Sequence, residues 1–402
     1  MEQDWAGTYT YTAPVVRPRD VAHVQKVVHD ARAVRALGTR HTFNGLADSP
    51  GVLLDLTALP DRVEVRADGT VAVTAGTRFG ELARELHRNG RALHNLGSLP
   101  HISVGGAVAT GTHGSGHRLG ALATAVRAVT VVGPDGELRT VSGADVDAQA
   151  VSLGAVGVVT ELVLATEPAY EVRQDVYRGV AVADLPAALG AGTSVSGFTR
   201  WDGRADVWVK TRLPADVPDE VAGVPRDPVS RDRITDEIVG NVTPQGGLPG
   251  PWHERLPHFR LDSVPSNGDE IQSEFFVDLA DAAAVVAAVT GIGDRIRDHF
   301  VVGELRTVAA DDLWLSMAHG RDSLAVHTTW RRTAGARAAI PVLEQVLAPF
   351  GARPHWGKAH TVRDLGGVVP RLAEARALFD ELDPDGVFSS PALVARGVRS
   401  AR

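Results

Sequence analysis

The chain has 402 residues, 44% hydrophobic and 22% charged, a balance that fits a globular protein of two or three domains and excludes a disordered or fibrous one. Its formal net charge of −8 excludes the basic footprint of a general nucleic-acid binder. Cysteine is absent, which removes disulfides, thiolate nucleophiles, iron–sulfur clusters and cysteine-based zinc sites.

The opening MEQDWAGTYTYTAP lacks the basic and apolar regions of a signal peptide, and no run of about 18 apolar residues offers a transmembrane helix. The expectation is a cytoplasmic enzyme with no membrane association and no evident protein partner. Basic residues are almost all arginine. Lysine occurs only at Lys26, Lys210 and Lys358, and for Lys26 and Lys210 genomic base composition is explanation enough.

Asp20 is placed to cap a helix carrying Val21, Val24, Val28 and Ala31 at helical spacing. The run VLLDL at 52–56 reads as a buried strand, and the polar loop ALGTRHTFNG lies between. Residues 63–75 form a hairpin turning at Asp68-Gly69, and the following helix through FGELARELHRN stops at Gly90. The segment NLGSLPHISVGGAVATGTHGSG is too rich in glycine for a regular element. A second hairpin turns at Gly133–Gly136, and SLGAVGVVTELVLAT returns as a tight turn and a strand. The character changes near residue 169. A loop-like, proline-rich segment spans 212–268. Strand QSEFFVD, helix 281–298, strands GELRTVA and SLAVHTTW, and helix 337–349 follow. These suggest an α+β second domain on an antiparallel sheet.

No GxGxxG, GxxxxGK or HExxH motif occurs, and the histidines, 15 in number, show no zincin spacing, so no metal is expected. Glycine carries the positive signal. Gly105, Gly106, Gly111, Gly114 and Gly116 stand among small and hydroxyl residues, where backbone amides can approach a diphosphate closely. A flexible linker would be Ser/Gly-rich and polar, whereas valine and alanine are interleaved here. Glu304 and Arg306 are two apart on one predicted strand, and His327 and Thr329 on another, so each pair shares a face. Such charges form either a surface salt bridge or a polar floor for a polyhydroxylated ligand.

GTRHTFNG, SLPHISVGGAVATGTHGSG and SLGAVGVVTEL, in that order, resemble the FAD-binding domain of the vanillyl-alcohol-oxidase family. PGPWHERLPHFR, QSEFF, ELRTVAADDLWLS and RPHWGK resemble its aldonolactone and alditol oxidase branch. The likeness runs from about Trp5 to about Pro384. It implies an α+β architecture with an FAD-binding domain at 1–168, a substrate domain at 169–355 and a C-terminal segment at 356–402 returning to the first. It implies FAD bonded through its 8α-methyl to His41, with Gly38, Thr39, Arg40 and Thr42 around it. Ser98, Ser103, Gly106, Thr110, Gly111, Thr112, His113, Val158 and His355 would complete the cofactor contacts.

The implied reaction is oxidation of the C1 hydroxyl of alditols such as xylitol and sorbitol, with hydride passing to flavin N5 and oxygen reduced to hydrogen peroxide. Arg306 and Lys358 would bind the reacting hydroxyl. Glu304, His327 and Thr329 would join them, with Ser98 near N5. Gly97 would gate oxygen. Aldonolactone oxidation, and non-catalytic flavin or sugar binding, are the alternatives. Arg40, Val387, Ser389-Ser390 and His319 depart from the family pattern, leaving open the effect on flavin attachment, tail contacts and substrate entry.

Overall fold

The computed structural model describes residues 2–229, 240–263 and 270–401; residues 230–239 and 264–269 of the segment read as loop lie outside the described residues. Three short parallel strands open the chain: β1 (Val15–Val16), β2 (Val34–Leu37) and β3 (Val52–Asp55), in the order β1-β3-β2. The crossover is α1 (Val21–Asp30), where Asp20 accepts from His23 N at 2.7 Å and Val24 and Val28 face the core. A five-stranded antiparallel sheet follows. It comprises β4 (Val63–Val65), β5 (Thr70–Thr74), β6 (Val126–Val132), β7 (Leu138–Ser142) and β8 (Val158–Ala165), ordered β4-β5-β8-β6-β7. Both hairpins turn where expected, with Gly69 at φ 83° and Gly136 at φ 82°. Helices α2 (Phe79–Arg88) and α3 (Val104–Ala109) lie between β5 and β6 in the chain, and α3 runs through the glycine-rich segment expected to hold no regular element.

The second half is built on a large antiparallel sheet. Its strands are β9 (Glu171–Ala181), β10 (Ser194–Thr199), β11 (Arg204–Arg212), β12 (Val224–Asp227), β13 (Glu270–Asp278), β14 (Phe300–Val308), β15 (Ser323–Arg331) and β16 (Arg353–Pro354). They run β12-β9-β11-β10-β14-β15-β13-β16. Helices α4 (Ala282–Gly291) and α5 (Ala334–Leu347) bury valine, isoleucine and leucine against its back. The helix expected over 281–298 ends at Gly291. Gly293 starts a separate turn, and a Cβ there would stand 2.7 Å from the Trp201 carbonyl oxygen. The helix expected at 337 begins earlier, because Thr333 caps it by accepting from Ala336 N at 3.2 Å.

Two principal apolar cores result. One joins the two N-terminal sheets to α6 (Leu372–Leu382), α7 (Pro391–Ala395) and Val398, and it also takes in Trp252 and the 313–318 segment. The other lies between the large sheet and α4 and α5. The C-terminal tail is stitched to the N-terminal layer. Val34 N donates to Val387 O at 2.8 Å, Arg35 Nη1 to Phe388 O at 3.1 Å, and Ser390 caps α7. Val387, Ser389 and Ser390 therefore do structural work away from the cavity described next.

Candidate active site

One cavity runs between the two halves and is lined by residues of both. Its outer part is walled by residues 35–47, 97–113 and 153–159. The loop after β2 and the start of α3 meet closely there. A Cβ on Gly38 would collide with Ser103 Oγ, one on Gly106 would stand 3.0 Å from the same atom, and Ser103 N donates to Thr39 Oγ1 at 3.1 Å. On the third wall Leu153 is held at φ 54°, and a Cβ on Gly157 would lie 2.5 Å from the Val132 carbonyl oxygen. Backbone thus forms much of the surface. Among the described residues no carboxylate lines this part, whereas Arg35, Arg40 and His41 do.

His41 points into this space with its ring stacked on Trp5 at 5.2 Å, and its Nδ1 lies 3.1 Å from Thr39 Oγ1. Burial pushes its pKa down to about 3, with His101, Lys358 and Arg78 adding to the effect, so the imidazole is neutral. Arg40 adopts φ 65°, and its guanidinium pairs with Glu2 and Asp55, each at 2.8 Å. Arg35 was missed by sequence reasoning. It is buried, has no carboxylate in contact among the described residues, and donates instead to carbonyls, including Gly154 at 2.8 Å and Leu46 at 3.0 Å. Burial, then Arg399, lowers its pKa to about 10.

The inner part is floored by the large sheet. The antiparallel register sets Glu304 opposite His327 and His327 opposite Glu274, while Thr329 faces Val302 and Gln272. Arg306 is two residues along the same face as Glu304. Its Nη2 donates to Glu274 Oε1 at 2.6 Å, its Nε lies 3.5 Å from Glu304 Oε1, and its Nη1 donates to Ser98 Oγ at 3.2 Å. Burial, the largest single influence, would raise the pKa of both glutamates, but Arg306 together with the facing histidines outweighs it and holds both carboxyls well below the usual range. His113 Nε2 lies 3.3 Å from Glu274 Oε1, and His355 is 6.1 Å from His113, ring to ring. Lys358 donates to Gln272 Oε1. Burial, opposed by Glu274, lowers its pKa.

Most of the residues named from sequence meet here, including Ser98, Glu304, Arg306, His327, His355 and Lys358. Gly111 and Val158 lie off the cavity wall. Gly111 would press a Cβ to 3.1 Å from Met317, and the wall near Val158 is made by Gly157 and Val159. Thr329 also lies off the wall and reaches the site through His327 Nε2 at 3.2 Å. His319 turns its Nδ1 to Leu313 O at 3.1 Å and does not line the cavity. Lys26 is an exposed partner of Asp30, as base composition suggested, but Lys210 is fully buried behind Glu304. Gln272, Glu274 and His258 were also missed. For the first two a signal existed, since polar residues two apart inside the apolar strand QSEFFVD share a face.

The cavity has the form and charge of a dinucleotide site opening onto a buried, charged floor. Residues 12–142 match a family model described as an FAD binding domain, and residues 269–396 one described as D-arabinono-1,4-lactone oxidase. The alditol oxidase of Streptomyces sp. (strain IKD472 / FERM P-14339) is 45% identical over 406 residues, covering 96% of both chains. The chain belongs to the alditol oxidase family. It is an FAD-dependent oxidoreductase with the fold of the vanillyl-alcohol-oxidase type. In the same wider group, the L-gulono-1,4-lactone dehydrogenase of Mycobacterium tuberculosis is 28% identical, again covering 96% of both chains. The fold likeness extends to cholesterol oxidase from B. sterolicum, with a TM-score of 0.77 at 15% identity over 98% of this chain and 96% of that one. Among the described residues no helix is long and apolar enough to cross a membrane.

Proposed function

We propose that this enzyme oxidises the terminal C1 hydroxyl of alditols such as xylitol and sorbitol to the aldose, reducing oxygen to hydrogen peroxide. The carrying observation is the buried Arg306 held between Glu274 and Glu304 on the cavity floor, within reach of Ser98. We assign residues 1–168 to FAD, 169–355 to the substrate and 356–402 to the return, and we place the enzyme in the cytoplasm. His41 carries the cofactor covalently. Gly38, Thr39, Thr42, Ser103, Gly106, Thr110, Thr112 and His113 contact it along the carboxylate-free walls, with Arg40, Gly111, Val158 and His355 nearby.

FAD, when bound, would supply a hydride acceptor and a route for the electrons to oxygen. Arg306, fixed in charge, binds the C1 oxygen and stabilises the negative charge that grows there. Lys358, disfavoured as a cation by burial, takes the hydroxyl proton onto Nζ. Glu304 accepts from a neighbouring hydroxyl, Ser98 and His327 fix the chain of the polyol, and Thr329, off the cavity wall, acts only through His327. A simple alcohol leaves these buried groups unpaired at about 1–3 kcal/mol each, so propanol should be oxidised far less efficiently than xylitol. Steady-state kcat/KM across xylitol, 1,2-propanediol and propanol checks this, and equal values would refute the polar floor.

The match of residues 269–396 to the lactone oxidase model favours a second reading, oxidation of an aldonolactone. Parallel assays with xylitol and with gulonolactone or galactonolactone separate the two.

Gly97 is the proposed oxygen gate. A Cβ there would meet its nearest neighbours, His113 O and Thr112 Cγ2, at 3.6 Å, an ordinary contact, so this glycine is not demanded by a crowded backbone. Gly97→Val should therefore fold and load flavin, be reduced by xylitol without air at close to the normal rate, and react with oxygen about tenfold more slowly. Stopped-flow traces of the two half-reactions measure both, and an unchanged oxygen reaction would remove the gate.

A further inference from the structure

Behind the cavity floor lies a buried chain of polar groups that the proposed chemistry does not use. Lys210, in the middle of β11 and 1% exposed, shares the sheet face of Glu304 two strands away. Its Nζ donates to Leu256 O and lies 3.0 Å from His258 Nδ1. His258 Nε2 in turn lies 2.8 Å from Glu304 Oε1 and 3.4 Å from Ser196 Oγ. The ring is gripped edge-on by Phe198 and Trp208, at 5.5 and 5.4 Å between centroids. Its backbone N donates to Ser98 O at 3.0 Å.

An ammonium has three protons to give and no lone pair, so the nitrogen facing it must accept. Burial, with the Lys210 charge, pushes the His258 pKa down to about 3, so the ring carries a single proton. If Nδ1 accepts, that proton sits on Nε2 and is donated to Glu304. The opposite tautomer would set a lone pair against the carboxylate.

We infer that Lys210 locks His258 in its Nε2–H tautomer, and that this pair positions the Glu304 carboxylate, tying down Oε1 and leaving the second oxygen for a hydroxyl of the polyol. Lys210 and His258 are positioning residues. They touch neither substrate nor cofactor. The kinetic half of the inference rests on the reading of Glu304 as a polyol ligand; the tautomer half does not.

The test uses the flavin-loaded enzyme with nitrogen-labelled histidine, recorded near pH 6, below the Lys210 value of about 7. The other charged groups around Lys210 and His258 are Glu304 and Arg306, which stay ionised there. His258 is assigned by its loss in His258→Gln, and two-bond proton–nitrogen correlations report the tautomer. In the wild type the proton is expected on Nε2. Because the Glu304 carboxylate also favours Nε2–H, the share due to Lys210 is read in Glu304→Gln, where the tautomer persists, and in Glu304→Gln/Lys210→Met, where it is lost. In Lys210→Met alone KM for xylitol rises about tenfold while the maximal rate of flavin reduction falls by much less. Lys210→Arg, which also lacks a lone pair, recovers the tautomer in the Glu304→Gln background and part of the KM.

An Nε2–H tautomer that survives in Glu304→Gln/Lys210→Met overturns the inference. If the tautomer changes there but KM is unmoved in Lys210→Met, and Glu304→Gln is equally silent, the lock stands and the role of Glu304 in binding polyol falls. Should Lys210→Met fail to fold, the contrast moves to His258. His258→Gln keeps an amide donor for Glu304 and stays within a few-fold of wild type, while His258→Phe raises KM on the order of tenfold. Equal KM values for these two variants overturn the inference.

Discussion

His41→Ala should yield a protein that loses all its flavin on acid denaturation, whereas wild-type polypeptide carries flavin fluorescence through a denaturing gel. The surroundings of the imidazole suit the proposed bond. Its ring is held against Trp5, its Nδ1 is near Thr39 Oγ1, and burial keeps it neutral with a pKa of about 3, so a lone pair is available throughout the working pH range. The variant should fold, because His41 anchors no core residue, and should still bind FAD reversibly through the cradle around Gly38 and Ser103. Wild-type protein that releases its flavin on denaturation would disprove the covalent link. Arg40 gives no reason to expect failure, since its side chain is drawn to Glu2 and Asp55.

The second large effect belongs to the cations of the floor. Arg306→Ala removes the charge proposed to face the reacting oxygen, and flavin reduction by xylitol should fall by about 100–1,000-fold. It also leaves Glu274 and Glu304 buried without their main counter-charge, which costs about 3–5 kcal/mol of stability if they stay ionised. Thermal melts and anaerobic stopped-flow reduction separate the two consequences. Lys358→Met should be nearly as slow but far less destabilised, because Lys358 donates to the neutral Gln272. Burial favours the neutral amine of Lys358, so its pKa lies below the ordinary 10.5 and the proton-accepting form grows as pH rises. The wild-type reduction rate should therefore climb with pH through that lowered value. The limb should vanish in Lys358→Met. A pH-independent wild type would deny Lys358 the role of base. Glu304 and Glu274 are held well below their usual values and contribute no limb near neutrality.

Local signals made much of the fold legible. Asp68-Gly69 and Gly133–Gly136 demanded turns, Asp20 demanded a helix start, and the alternation in SLAVHTTW put His327 and Thr329 on one face. The tertiary partners of those faces were less legible. Glu274 needs Arg306 across the sheet, and nothing local to QSEFFVD says that its glutamate faces a guanidinium instead of solvent. Lys210 lies in VWVKTR, where a lysine among valines is as readily an exposed strand residue. Its burial depends on His258 and Leu256, which lie more than forty residues away in sequence. Arg35 was hidden for the same reason, because its hydrogen-bond acceptors come from residues near 46, 153 and 388. His319 and the helix over 281–298 failed where a family pattern or an apolar run was followed past a glycine or a local hydrogen bond.

Asn44, three residues beyond His41, has one further consequence for how the enzyme is assembled. Its side-chain amide donates to the carbonyls of Trp356 at 3.0 Å and Lys358 at 2.9 Å, and Phe43 N donates to Gly357 O at 2.8 Å. These bonds join the loop bearing His41 to the segment bearing Lys358, which the chain reaches only after the whole large sheet has been made. During synthesis the N-terminal part emerges hundreds of residues before its clamp. A truncated or stalled chain therefore presents His41 on a loop whose far anchor does not yet exist. With FAD bonded to His41 as proposed, cofactor attachment becomes a late event in maturation, and a chain already carrying flavin is one whose Lys358 is in place.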